Sequence, residues 1–238
     1  MAFTIRWLGQ GGFLMRLGDR AAAFDPYLSD SVAASGDRFH RLVPIPIAPE
    51  ELAVGLIAFS HDHLDHLDPD TVVKTDAPAY AGPASCLKHL AALGIPAEKR
   101  LPLGRGDVYR LGGARLMGVP AAHTDDSVGW VIEYAGVRLY ITADTLYDDS
   151  LADAGALGID IFLCCVNGRL GNMNAQEAAR VARDLPCRLA IPMHYGMFAE
   201  NTCDPADFAR AMEGSGIPVC ELPFNAEVEV LDLLKKAV

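Results

Sequence analysis

The sequence lacks any long uninterrupted run of apolar residues. Spanning a bilayer takes about 18–20 consecutive apolar side chains, and no segment of the 238 residues reaches that length. The opening residues, Met1 to Trp7, also lack the basic segment and apolar stretch of a secretion signal. We therefore expect no membrane association, and a cytoplasmic location is the default expectation.

Clusters of basic side chains are also missing. The formal net charge is −11, from 20 Lys and Arg against 31 Asp and Glu. Affinity for nucleic acids comes largely from basic side chains that neutralise phosphates. The composition therefore predicts no nucleic-acid partner and leaves a small molecule as the expected one.

Neither a Cys-x-x-Cys pair nor a Pro- or Ser-rich linker is present. Without a secretion signal, the six cysteines are expected to be reduced packing residues rather than disulfides. Hydrophobic residues make up 51% and charged residues 21%, as in ordinary globular proteins. Because nothing divides the chain, we predict a single domain over residues 1–238.

The hydrophobic pattern predicts two groups of strands with helices near each. Expected strands cover residues 3–8, 13–17, 21–24, 52–60, 79–82, 108–111, 115–119, 128–134, 137–142, 159–166, 188–192, 219–222 and 227–231. Helices are expected after Asp68, over 85–93, after a capping box at Asn174 and from Pro205 to Met212, with an irregular loop over 38–49. This alternation predicts an α/β fold in which two mixed sheets pack face to face with helices outside, a four-layer αβ/βα sandwich.

A cluster of histidines follows the apolar run over 52–60. His61, His63 and His66 lie within six residues, with Asp65 among them. Imidazole and carboxylate groups suit zinc, manganese or iron. In an extended loop His61 and His63 could share one metal, with Asp65 and His66 turned toward a second position about 3.5–4 Å away.

This H-x-H-x-D-H pattern after an apolar strand resembles the signature of the metallo-β-lactamase fold, a four-layer αβ/βα sandwich with metals at one edge. The resemblance implies three further ligands, and His123, Asp144 and His194 stand at predicted strand ends in the order that it requires. It also implies that Asp25 orients a ligand histidine, although an aspartate before Pro26 could simply form a turn.

The resemblance implies a cofactor of two divalent metal ions, zinc or manganese, with iron as a further candidate. It assigns His61, His63 and His123 to one ion, Asp65, His66 and His194 to the other, and Asp144 to both. A water held between two such ions loses a proton near neutral pH, because its pKa falls from about 15.7 to about 7. The hydroxide would attack a carbonyl carbon or a phosphorus, with Asp65 and Asp144 as the predicted catalytic residues.

Segments 7–13, 166–173 and 191–205 are similar to the branch of this superfamily that includes ascorbate-6-phosphate lactonase. We therefore expect a lactonase-like hydrolase acting on a small anionic or phosphorylated metabolite. A phosphodiesterase acting on a cyclic nucleotide or a phospholipid headgroup is the alternative, because the same hydroxide and metals would serve. A nuclease comes third, weakened by the negative charge, and a metal-stabilised scaffold without catalytic activity is a further interpretation. A homo-oligomer is left open.

Segment 166–174 is predicted to form a wall of the substrate site. It precedes a helix N-terminus, where free N–H groups favour an anion. Arg169 could bind a phosphate or carboxylate through two N–H donors. The predicted substrate-binding residues are Asn167, Arg169, Asn174 and Tyr195. The alternative is that Asn174 only caps the helix and Arg169 faces solvent.

Overall fold

The computed structural model describes residues 2–36 and 38–236, apart from the side chain of Lys236. The strands are β1 (Phe3–Gly9), β2 (Gly12–Leu17), β3 (Arg20–Phe24), β4 (Leu56–Ala58), β5 (Tyr80–Gly82), β6 (Arg100–Pro102), β7 (Val108–Leu111), β8 (Ala114–Pro120), β9 (Val128–Tyr134), β10 (Val137–Ile141), β11 (Ile161–Cys165), β12 (Leu189–Met193) and β13 (Glu227–Glu229). The α-helices are α1 (Ser31–Ala34), α2 (Pro69–Lys74), α3 (Ala84–Ala92), α4 (Ala175–Asp184), α5 (Ala206–Ala211) and α6 (Val230–Lys236).

The strands form two mixed sheets, as predicted. One has the order β13-β1-β2-β3-β4-β5-β6 and the other β12-β11-β10-β9-β8-β7. In each sheet the strands joined by tight turns pair antiparallel, as β1 does with β2 and β9 with β10. The strands joined by longer crossovers, β3 to β6 and β10 to β12, pair parallel.

The main core lies between the two sheets. Alternate residues of each strand point inward, so that Phe3 packs edge-on against Tyr134 at 5.3 Å between ring centres, and Phe24 lies 6.2 Å from Trp130. The opposite side chains of the first sheet, such as Ile57, pack with residues of α2 and α3 in a second cluster. The result is the predicted four-layer order of helices, sheet, sheet and helices.

Several element boundaries differ from the predictions. The strand expected over 52–60 is confined to Leu56–Ala58, the three residues that pair with the end of β3. Residues 219–222 make only an isolated bridge, between Val219 and Ala190. The strand predicted over 227–231 ends at Glu229, and α6 follows because its buried apolar residues, Val230, Leu233 and Leu234, have helical spacing.

All six cysteines are free thiols, as predicted, and four of them are buried. Within the described part of the chain, no helix is both long and apolar enough to cross a membrane.

The predicted capping box at the start of α4 is confirmed. Asn174 Oδ1 accepts hydrogen bonds from the backbone N–H groups of Gln176 (2.9 Å) and Glu177 (3.0 Å). Glu177 Oε2 accepts the backbone N–H of Asn174 at 2.9 Å in return. These contacts satisfy N–H groups that the helix itself leaves unpaired.

Replacing Asn174 by alanine should lower the free energy of unfolding by about 1 kcal/mol, because two backbone N–H groups lose their acceptor. Urea denaturation would measure the change. The matched control is Gln176→Ala, which removes an exposed side chain and keeps the capped N–H. Equal losses in the two variants would contradict the capping role.

Candidate metal centre

Strand ends from both sheets deliver polar side chains to one edge of the sandwich. Asp25 follows β3, and the loop from Ser60 to His66 follows β4. From the second sheet, His123, Asp144 and His194 follow β8, β10 and β12. Parallel strands end at a common edge, so residues far apart in sequence meet there.

Three imidazoles form the first group. Ligand atoms of His61, His63 and His123 all lie within 4.8 Å of one another, and His123 Nε2 is 3.1 Å from His63 Nδ1. His61 is fully buried, whereas His63 is exposed to solvent. This group therefore has one side toward solvent.

A second group combines Asp65, His66 and His194, again with ligand atoms within 4.8 Å. Asp144 lies between the groups. Its Oδ1 is 2.9 Å from His194 Nε2 and 3.2 Å from His66 Nε2, and its Oδ2 is 3.7 Å from His123 Nε2. The structure thus brings all seven predicted ligand residues together.

Several buried polar atoms in this cluster make no hydrogen bond of good geometry. They include His61 Nε2, His66 Nε2, His194 Nε2 and Asp144 Oδ1, although Asp144 Oδ1 lies only 2.9 Å from His194 Nε2. Leaving such atoms unsatisfied in the protein interior costs free energy, and a cation between them would satisfy all four. The imidazole and carboxylate donors fit this purpose, and the cluster is able to bind metal.

Burial and charge set the protonation of the cluster. Burial, together with the neighbouring imidazole of His66, holds the pKa of His61 well below its usual value, and burial beside His123 also lowers the pKa of His63. Both histidines are therefore neutral near pH 7, which is the form that binds metals.

At His66 and Asp144, neighbouring charges outweigh burial, so that the pKa of each group shifts toward its charged form. Burial alone would lower the pKa of His66, but the carboxylates of Asp144, Asp65 and Asp25 raise it well above its usual value. Burial would likewise raise the pKa of Asp144, but His194 and His66 hold it well below. A proton on His66 therefore competes with a cation for the same nitrogen.

Asp25 lies behind His66 and receives three hydrogen bonds. Its Oδ1 accepts the backbone N–H of Ser60 at 2.7 Å, while Oδ2 accepts the Ser60 hydroxyl at 2.5 Å and contacts His66 Nδ1 at 2.9 Å. With Nδ1 donating to Asp25, Nε2 of His66 presents a lone pair to the cluster. Asp25 thus has the contacts of an acceptor that orients this imidazole.

Sequence reasoning gave Gln10 no role in the site, although it lies in segment 7–13, which is similar to the lactonase branch. Its Nε2 donates to Asp65 Oδ2 at 2.9 Å, and its carbonyl accepts the backbone N–H of His194 at 3.1 Å. The same carbonyl accepts Trp7 Nε1 at 3.0 Å. Gln10 therefore ties residues from the two sheets together. The sequence offered two signals for it, the surrounding run of glycines and the similarity of segment 7–13 to the lactonase branch.

Two glycines allow close approach to ligand histidines. A Cβ at Gly11 would lie 2.6 Å from Cε1 of His66. At Gly171, where φ is +87°, a Cβ would lie 2.9 Å from His123 Nδ1, and the Gly171 carbonyl contacts that nitrogen at 3.0 Å. Only glycine leaves room for the imidazole at either position.

A cavity of about 430 Å³ opens beside the cluster. Its lining residues are Val32, Phe39, His63, Leu64, Asp65, Asp144, Leu170, Phe198 and Asn201. Its volume falls within the roughly 300–1,000 Å³ typical of small-molecule sites. The cavity therefore gives a ligand of that size access to the cluster.

The four residues predicted to bind substrate are not among those that line this cavity. Asn167, Arg169 and Asn174 line a separate cavity of about 630 Å³ on the other side of segment 166–174. Asn174 caps α4. Tyr195 packs against Trp7, with 4.8 Å between ring centres. A role for these residues in substrate binding stays a prediction.

Comparison with known proteins places the chain in a family. Residues 22–195 match the model of the beta-lactamase superfamily domain, which covers most of the chain and includes all seven residues of the cluster. The chain belongs to the metallo-β-lactamase superfamily. Its more specific resemblance to the ascorbate-6-phosphate lactonase branch stays a prediction.

Curated relatives match this chain over most of its length. A protein of Sulfurisphaera tokodaii is 28% identical over 95% of this chain and 99% of its own. One from Archaeoglobus fulgidus is 27% identical over 90% and 93%. Both carry the name UPF0173 metal-dependent hydrolase.

Solved structures confirm the fold. A possible metal-dependent hydrolase from Veillonella parvula aligns with a TM-score of 0.79 at 15% identity, over 97% of this chain and 100% of its own. An isothiocyanate hydrolase from Delia radicum gut bacteria aligns at 0.75 and 13%, over 94% and 98%. At such identities the likeness concerns the fold alone.

Replacing Asp25 by asparagine should weaken zinc binding roughly 10–100-fold, because the charged acceptor behind His66 is lost. Competition with a chromophoric chelator would measure the affinity. Asp62→Asn is the matched control, since Asp62 lies in the same loop but contacts His89 at 3.4 Å instead of the cluster. Unchanged affinity in a folded Asp25→Asn protein would contradict the orienting role.

Proposed function

We propose that the protein is a metal-dependent hydrolase that opens an ester bond in a small carbonyl substrate, in the manner of a lactonase. The observation that carries this proposal is the position of Asp144, whose carboxylate contacts both groups of candidate ligands. The name shared by the curated relatives supports the hydrolase class. The proposed partner is therefore a small molecule that enters the cavity beside the cluster.

The residues of the cluster would hold two divalent ions, zinc or manganese. His61, His63 and His123 would bind one, Asp65, His66 and His194 the other, and Asp144 both. When bound, the two ions make water a nucleophile near neutral pH and stabilise negative charge on the substrate oxygen. Asp65 lines the cavity, so that its carboxylate can orient the attacking water and accept its proton.

In the proposed reaction, water adds to the carbonyl carbon and the acyl C–O bond breaks. The proton of the water passes to the leaving oxygen, and the products are a carboxylic acid and an alcohol. Two hydrogen bonds fix the orientation of groups in the cluster. Gln10 donates to Asp65, and Asp25 accepts from His66. Preorganised groups of this kind need little rearrangement during the reaction.

A phosphodiesterase would use the same cluster and is the alternative. The negative charge of a diester would lie at the two ions, and segments 7–13, 166–173 and 191–205 are similar to the lactonase branch instead. For this reason we favour the carbonyl substrate. An anionic metabolite would find no Lys or Arg among the described residues that line the cavity. A scaffold without catalytic activity would not need all seven candidate ligands.

Purified protein should contain close to two transition-metal ions per chain, measured by elemental analysis. Asp144→Ala should lower both the metal content and kcat/KM. The loss of kcat/KM should exceed the roughly 10–100-fold change that follows when residues behind the ligands are altered. Asp62→Asn is the control, and full activity in a folded Asp144→Ala protein would show that Asp144 has no shared role.

A hydrolysis screen should separate the two reactions. Lactones and phosphodiesters would be offered to protein loaded with zinc or with manganese, and acid release would be followed by pH indicator. We expect turnover of lactones. Turnover of diesters alone would favour the phosphodiesterase.

A further inference from the structure

The cavity beside the cluster is walled mainly by apolar side chains. Five of its nine lining residues are Val32, Phe39, Leu64, Leu170 and Phe198. Three of the other four belong to the cluster itself. The fourth, Asn201, is buried, and its Oδ1 already accepts a hydrogen bond from Asn167 at 2.6 Å. Outside the cluster, the described wall therefore offers a substrate almost only hydrophobic contact.

The arginines in this region do not add a charge to the described wall. The guanidinium of Arg38 lies 5.2 Å from the centre of the Phe39 ring, outside the lining residues. Arg41 donates its N–H groups to backbone carbonyls, including those of Tyr27 (3.1 Å) and Pro44 (3.1 Å). Arg169 lines the separate cavity behind segment 166–174. An anionic substituent would therefore find no matching cation on this wall.

Three of the five apolar wall residues are held by packing of their own. Tyr27, Met197 and Phe198 form a small buried cluster with Val32 and Phe39 packed against it, apart from the cores of the two sheets. Phe39 meets Phe198 edge-on at 5.9 Å between ring centres. Such a satellite cluster keeps the wall in shape before a ligand arrives, which favours binding by reducing the ordering needed.

Two lining residues have an unusual backbone. Phe39 has φ of +62° and Leu170 has φ of +52°, a conformation that is uncommon outside glycine and that tends to occur at functional sites. Leu170 is also 64% exposed. A leucine presented to solvent at the mouth of a cavity gains hydrophobic contact when an apolar group enters.

We propose that this cavity selects neutral carbonyl substrates with an aliphatic or aromatic substituent, such as alkyl-substituted lactones, over phosphorylated or carboxylated ones. The inference rests on the proposed function and narrows its substrate class. The substituent packs against Phe39, Leu64 and Leu170, and the carbonyl group lies toward the cluster. Hydrolysis adds water across the ring ester, and the hydroxy acid that forms is anionic, which favours its release from an apolar cavity.

Equilibrium binding tests this selection without turnover. Lactams resist hydrolysis, so a series of γ-lactams with n-alkyl groups of increasing length can be titrated into zinc-loaded protein by calorimetry. Affinity should rise about fourfold for each methylene until the cavity is filled. A matched series ending in a carboxylate should bind at least about tenfold more weakly. Tighter binding of the carboxylated series would overturn the inference.

Variants of Leu170 test whether this side chain contacts the alkyl group of the ligand. Leu170→Ser should weaken binding of the alkyl lactams about tenfold, and Leu170→Arg should favour the carboxylated lactams instead. Both keep a Cβ at a positive φ, so the backbone strain is unchanged. The control is Leu231→Ser on α6, which changes an exposed leucine outside the cavity lining and should leave affinity as it is. Wild-type affinity in Leu170→Ser would contradict the proposed contact.

Kinetics on the corresponding lactones separates this inference from the proposed function. Faster hydrolysis of carboxylated than of neutral lactones would overturn the substrate selection and leave the hydrolase activity intact. If no lactone is hydrolysed, the proposed reaction is wrong, and the lactam affinities still decide which class of molecule the cavity accepts.

Discussion

Asp144 carries a negative charge where water hardly reaches it, with both of its oxygens directed at histidine nitrogens. Burial of a carboxylate is unfavourable unless positive charge compensates it. Here His66 and His194, beside one oxygen, hold the pKa of Asp144 well below its usual value, and His123 Nε2 lies 3.7 Å from the other oxygen. The strands ending at this edge hold these groups close to the carboxylate despite the cost of bringing them together, as do the contacts of His66 with Asp25 and of His123 with the Gly171 carbonyl.

The two-sheet architecture makes this convergence possible. Each sheet turns from antiparallel to parallel pairing partway across, and the strands that precede ligand residues end at one edge. Rigid strands place side chains more accurately than long loops do. The turn between β1 and β2 then connects the sheets, because Gln10 binds Asp65 through its side chain and His194 through its carbonyl.

Much of the centre could be predicted from the sequence because its ligands follow a family pattern at strand ends, and strand ends are visible in the hydrophobic pattern. Gln10 could not be found in this way, since its contacts join residues 10, 65 and 194, and only the folded chain brings them together. The helix at Val230 was missed because a short apolar segment fits either a strand or a helix until its burial is known. Segment 166–174 was expected to face substrate as a whole. In the structure its two sides face different cavities, and only Leu170 lines the one beside the cluster.

Leu170 and Gly171 are adjacent in the chain and contact different parts of the site. The Leu170 side chain lines the cavity, while the Gly171 carbonyl contacts His123 at 3.0 Å, and a Cβ at Gly171 would not fit. Substrate preference and ligand geometry therefore share one short loop. Related proteins can diversify by exchanging the side chain at position 170, because the backbone stays where it is. An insertion or deletion in this loop would displace the carbonyl from His123, so we expect its length to vary far less among active relatives than the residue at 170.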